Sequence, residues 1–110
     1  MTPFSDLTAR KIRNALEETP GVSERQIIGG VAFLVQGNMC CGVFDEKLVV
    51  RVGPDAYDEA LREPHARPMD FTGRPLPGFV YIAREGYASE TALRQWIDRS
   101  VGFVRSLPQR

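Results

Sequence analysis

Cys40 and Cys41 carry the strongest intrinsic chemistry in this chain of 110 residues, and they stand side by side. They fall in a stretch, Met39 to Phe44, that reads as a strand, where successive side chains point to opposite faces. One thiol is therefore expected in the core and the other outward. A disulfide between adjacent residues would require a distorted peptide, and no C-x-x-C spacing supports thioredoxin-like exchange. Free cysteines bury readily as small apolar groups, so a structural role is expected, with a thiol-dependent sensor or small enzyme using Cys40 or Cys41 as an alternative. The single histidine, His65, sits between Pro64 and Ala66 at the end of a helical stretch, where an imidazolium favours the negative pole of the helix. One histidine and two cysteines do not make a structural zinc site, so neither a metal nor a cofactor is expected. The sequence has no G-x-S-x-G, G-x-G-x-x-G or Walker A pattern. No catalytic residue is expected, and the chain reads as non-enzymatic.

A second constellation lies further on, where Arg67, Asp70, Phe71 and Arg74 share a proline-rich stretch with Met69. Two arginines flanking one carboxylate can grip an anionic group while the apolar residues anchor it. Equally, Asp70 can pair with either arginine and brace the loop. Bracing is the favoured reading, and because loops on a rigid scaffold often carry function, the same residues are the best candidate for an interaction surface.

Composition limits the classes of function. Hydrophobic residues make up 43% and charged residues 25%, the balance of a globular protein, in a length that suits one domain over 1–110. The apolar run from Ile27 to Phe44 is broken by Gly29, Gly30, Gln36, Gly37 and Asn38, which argues against a membrane span. The first six residues have neither the basic nor the apolar segment of a secretory signal. A cytoplasmic location without membrane association is the expectation. Fourteen basic residues balance fourteen acidic ones, whereas proteins that bind by neutralising phosphates usually carry a positive excess. Nucleic-acid association through arginines such as Arg67, Arg74 and Arg84 is therefore an alternative, not the favoured reading.

The elements that must position these residues follow from turn chemistry and periodicity. Thr2 to Glu18 reads as a helix with Thr2 as cap, Pro3 in the first turn and Pro20-Gly21 beyond its end. Leu7, Ala9, Ile12, Ala15 and Leu16 are its expected apolar side. Gln26 to Ile28 reads as the shortest strand, followed by Val31 to Val35, Met39 to Phe44 and Lys47 to Val52. Gln36-Gly37-Asn38 and Asp45-Glu46 form tight turns, a meander pattern. Leu48, Val50 and Val52 should face a dry side, with Val49 on a wetter one. Phe33, Val49 and Cys40 are the apolar residues expected on the sheet's second face. A second helix is expected from Pro54 to Pro64, then an edge strand or loop from His65 to Pro77, and a strand from Gly78 to Ala83. Ser89 caps a last helix reaching Ser106, whose stripe is Leu93, Trp96, Ile97, Val101 and Val104. The order α-β-β-β-β-α-β-β-α predicts a two-layer α+β domain with three helices beside an antiparallel sheet.

Ile28-Gly29-Gly30-Val31-Ala32-Phe33-Leu34, then Gly37 to Val43, Leu48 to Val52, Arg67 to Arg74 and Leu93 to Leu107, resemble the N-terminal domain of the TfoX/Sxy competence-regulator family. Ile28 stands where that family commonly has Phe. The resemblance implies a fold similar to the secretion-chaperone-like sandwich, often paired as a homodimer, and a regulatory module that binds a protein partner. Full-length regulators of the family also carry a helical C-terminal domain and act with a cAMP-responsive transcription activator. The sequence ends at Arg110, so only the N-terminal module is expected to carry over, with transcription co-regulation as the role the resemblance suggests for it.

Overall fold

The computed structural model describes residues 2–70 and 73–109. Helix α1 spans Pro3–Ala15, and the Thr2 hydroxyl caps it by accepting the Ser5 amide. Strands β1 (Val22–Ile27), β2 (Gly30–Val35), β3 (Asn38–Phe44) and β4 (Lys47–Arg51) follow. After them come α2 (Tyr57–Leu61), β5 (Ala66–Asp70), β6 (Pro75–Ile82), a short 3-10 turn at Arg84–Gly86, and α3 (Glu90–Val104). The fold is α+β with the order α-β-β-β-β-α-β-β-α, the arrangement that turn chemistry and periodicity predict. Six strands form one antiparallel sheet in the order β1-β2-β3-β4-β6-β5.

The helices pack on one side of it: α1 on β3, α3 on β3 and β4, and α2 on β5 and β6. The core between these layers gathers Ile12, Leu16, Phe33, Val43, Leu48, Val50, Val80, Ile82, Trp96 and Ile97. Ser89 caps α3 by accepting the Ala92 amide. Of the expected stripe on α3, Leu93, Trp96, Ile97 and Val104 are buried, and they are joined by the polar Ser100. Phe103, off the centre of that stripe, lies against Gly53.

Several boundaries differ from expectation for physical reasons. Strand β1 has six residues, so it is not the shortest; β4 and β5 have five each. Leu7 is about half exposed and leaves the apolar side of α1 to Ala9, Ile12 and Leu16. Helix α2 keeps only five residues between Pro54 and Pro64. Strand β6 starts at Pro75, earlier than Gly78, because its proline-bearing half pairs with β5 alone and needs no second ladder.

The expectation for the cysteines is overturned. Phe33 pairs with Cys41 and Leu34 with Met39, so Cys40 is an extra residue in β3 with no partner on β2. Such a β-bulge interrupts the alternation of faces. Cys40 and Cys41 consequently both turn toward the helices, and both are fully buried in the core. Phe33 faces the helices too, beneath the guanidinium of Arg13 on α1. Of the three residues expected on the second face, only Val49 is there, and it is 2% exposed, so that face is also dry at its centre.

Gly42 follows the bulge directly. A Cβ at this position would lie 2.4 Å from the Val31 carbonyl oxygen, and one at Gly30 would lie 1.9 Å from that of Val43. Strands β2 and β3 therefore approach more closely than two side-chain-bearing residues allow. Gly102 in α3 has no φ constraint, and a methyl group added there would meet no atom within 4 Å, so it is the matching control. Gly42→Ala is expected to cost about 1–3 kcal/mol, because the obstacle is backbone that no rotamer change can clear. Gly102→Ala should stabilise by about 0.5–1 kcal/mol, as glycine in a helix interior costs that much. Urea unfolding of the two variants should move the midpoint in opposite directions; a shift of the same sign would refute the account of Gly42.

Candidate functional site

Three places bring chemistry-bearing residues together, and they differ in what is left unpaired. The first is the bulge. The Ser100 hydroxyl on α3 donates to the Cys40 carbonyl, accepts the Arg51 amide at 3.3 Å, and lies 3.2 Å from the Cys40 sulfur. Since its one proton goes to the carbonyl, the Cys40 thiol must be the donor in the sulfur contact. All three hydrogen-bonding positions of this buried hydroxyl are thereby filled. Hydrogen bonding from Cys41 draws the Cys40 thiol below its ordinary range, against the opposing effect of burial and with help from the charge of Arg51. Hydrogen bonding to Cys40 and complete burial push the Cys41 thiol well above it. The polarised sulfur is sealed beneath α3, so the arrangement braces the bulge and offers no route to a reagent.

The second place is a hollow of about 390 Å³ between α1 and residues 84–88. Here Arg84 stacks 3.8 Å above the Phe4 ring and pairs with Glu46 at 3.2 Å. The Tyr87 hydroxyl donates to the Glu46 carbonyl at 2.6 Å. Its arginine and its phenol are thus already partnered. Arg84 sits against α1 on the helix side, apart from Arg67, whose partner across the ladder is Tyr81.

The third place is the face of the sheet that carries no helix. Cross-strand partners share a face, so the pairs Ile27↔Gly30, Ala32↔Gly42, Phe44↔Lys47 and Val49↔Tyr81 lie together on it. A groove of about 270 Å³ runs across this face, walled by apolar residues that include Ile27, Ala32, Met39, Val49, Leu76 and Phe79. Ile27 comes from one edge strand, while Leu76 and Phe79 come from the far side of the sheet. The sheet is curled enough for both to wall one cavity. Met69, on β5, is buried there although no helix covers it. Ile27, Ile28 and Leu76 are three of the four large apolar residues exposed among those described, at 36%, 95% and 46%.

Of the residues expected to form an interaction surface, Arg67 and Asp70 stand on edge strand β5, and Arg74 lies in the turn that follows. Phe71 lies outside the described residues. None of the four ion pairs among the described residues involves Arg67, Asp70 or Arg74. Burial raises the Tyr81 phenol above its usual range, and the charges of Asp70 and Asp45 add to it, which places both carboxylates near the groove side. Sequence reasoning missed the groove itself. Its only sequence signal is Gly42 between Cys41 and Val43, and the bulge that aligns it leaves no mark in residue types.

A two-layer α+β protein with helices on one sheet face and an open, curled opposite face is the class that fold and groove define. The family described as the TfoX N-terminal domain matches residues 14–104, and the chain belongs to that family. Comparisons with curated proteins and with solved structures find no match. No helix among the described residues is long and apolar enough to cross a membrane. Among the same residues no cluster of three or more His, Cys, Asp or Glu side chains is placed to hold a metal ion.

Alkylation with iodoacetamide under native conditions should leave both thiols unmodified over the time in which denaturant exposes them fully. Ser100→Ala should cost about 1–3 kcal/mol, since the Cys40 carbonyl and the Arg51 amide lose their partner, and it should make Cys40 the first thiol to react. Rapid native labelling of Cys40 in the unsubstituted protein would make that thiol a functional group again.

Proposed function

We propose that this member of the TfoX N-terminal domain family is a regulatory interaction module that acts by binding a protein rather than by catalysis. The observation that carries the reading is the groove on the helix-free sheet face, apolar within and with exposed Ile27 and Leu76 among its walls. A contiguous apolar patch kept in contact with water usually marks a binding surface. Among the described residues, the groove walls carry no nucleophile, acid or base. The two cysteines, the strongest nucleophiles of the chain, face the opposite way. Family membership supports a competence-regulator-like role. Both a second copy of the chain and a different protein are candidates for the partner, and the resemblance to paired family members keeps the homodimer among them.

Ile27 and Leu76 stand at the mouth of the groove and are partly exposed, so polar substitution there leaves the core intact. The double variant Ile27→Ser/Leu76→Ser should fold with an unchanged circular dichroism spectrum. In a native-cell affinity capture it should lose the protein retrieved by the unsubstituted chain. Retrieval of the same protein at the same yield by both would remove the groove from the binding function.

A further inference from the structure

The charge around the groove singles out one kind of occupant. Arg25 faces Ala32 across the β1–β2 ladder, and Arg67 faces Tyr81 across β5–β6, so both share the open face and flank the groove from opposite edges. Arg51 ends β4 near Phe79, its guanidinium 5.2 Å from the Phe79 ring and 5.5 Å from the Phe103 ring, with one hydrogen bond to the Met39 carbonyl. None of these three arginines belongs to any of the four ion pairs among the described residues. Lys47 is the fourth cation of this face, 3.4 Å from Asp45 and 5.6 Å from the Tyr81 ring. The acids near the face are Asp45 and Asp70. Three arginines without carboxylate partners among the described residues therefore border an apolar floor.

We propose that the open sheet face docks an acidic amphipathic segment of another protein, with apolar side chains in the groove and carboxylates on Arg25, Arg51 and Arg67. This deepens the interaction reading above and rests on it. Two features of the groove set the occupant apart from a small molecule. Its volume of about 270 Å³ is at the small end of the roughly 300–1,000 Å³ usual for small-ligand sites. Among the described residues, its walls also lack the few placed polar groups that orient such ligands. A space of this size takes the anchoring side chains of a larger partner, as interface hot-spot pockets do. A second copy of the chain is disfavoured by sign: sheet face against sheet face brings one arginine-bordered surface against another, and like charges juxtaposed cost several kcal/mol. Arginine also suits bidentate contact with carboxylates, and aromatic rings such as those of Phe79 and Phe103 hold its plane.

Fluorescence anisotropy with two labelled amphipathic peptides tests this, each about 18 residues or five helical turns long, one of Leu and Glu, the other of Leu and Lys. The Leu/Glu peptide should bind and the Leu/Lys peptide should not. Its affinity should fall roughly tenfold in Arg25→Glu/Arg67→Glu and fall again with added salt, as expected for charge-guided docking. Amide shifts on binding should centre on Ala32, Met39, Gly42 and Val49. Both arginines are exposed edge-strand residues, so the variant should unfold at the same urea concentration as the parent. Absence of binding, equal binding of the two peptides, or shifts confined to the helix side would overturn the proposal. So would a decanoate complex that fills the groove while the Leu/Glu peptide stays free. A concentration-dependent dimer in sedimentation that Ile27→Ser/Leu76→Ser dissociates would also overturn it. That last result would assign the face to a second copy and leave the interaction function standing, whereas unchanged capture by the same double variant would take the groove out of that function.

Discussion

The fold turns on one short stretch of backbone, Cys40 to Gly42 in β3, where an extra residue and a missing side chain are adjacent. The extra residue turns two consecutive thiols toward the helices. The glycine then lets β2 come within a distance that a methyl group would forbid. A bulge increases local twist and bends the strand that carries it. Because β3 lies near the middle of the sheet, a bend there swings both flanks toward the same side. Ile27 from edge strand β1 and Leu76 and Phe79 from β6, on the far flank, consequently wall a single groove.

Ser100 makes the bend tolerable. A bulge leaves backbone groups outside the ladder, and in a dry core each unpaired group costs about 1–3 kcal/mol. The hydroxyl answers the Cys40 carbonyl and the Arg51 amide together, from a helix that must lie on β3 and β4 in any case to bury Leu93, Trp96, Ile97 and Val104. A small polar residue in the middle of an apolar stripe is thus a coupling between the two layers. Helix α3 holds the sheet in its curled form from one side, and the groove opens on the other.

Much of the architecture is legible in the sequence because it is written in local chemistry. Thr2 and Ser89 cap helices as their side chains suggest, and Gln36-Gly37 and Asp45-Glu46 make the tight turns. Strand β1 reads shorter than it is because Ser23, Glu24 and Arg25 look like a loop. They form an edge strand exposed along nearly all its length, held by its ladder to β2 and by Arg13, which pairs with Glu24 at 2.6 Å. The bulge is not legible, since it depends on register between two strands and not on either one's residue types. Period-two alternation therefore misplaces Cys40 and Phe33, and with them the composition of the second face. The groove is invisible for the same reason: it is made by curvature, and curvature is a property of the paired sheet.

The charge balance misleads in a more instructive way. Equal numbers of acids and bases argue against a phosphate-driven surface only if the charges are mixed, and here they are partitioned. Glu24, Glu46 and Glu63 neutralise Arg13, Arg84 and Arg99, each pair reaching to α1, to the 3-10 turn or to α3. The arginines bordering the open face have no such partners among the described residues. A Debye length near 8 Å at physiological ionic strength keeps the distant acids from cancelling them. A partner approaching that face meets unpaired cations around an apolar floor, although the chain as a whole is neutral. Zero net charge and a directional field are compatible because the fold, and not the composition, decides which charges meet.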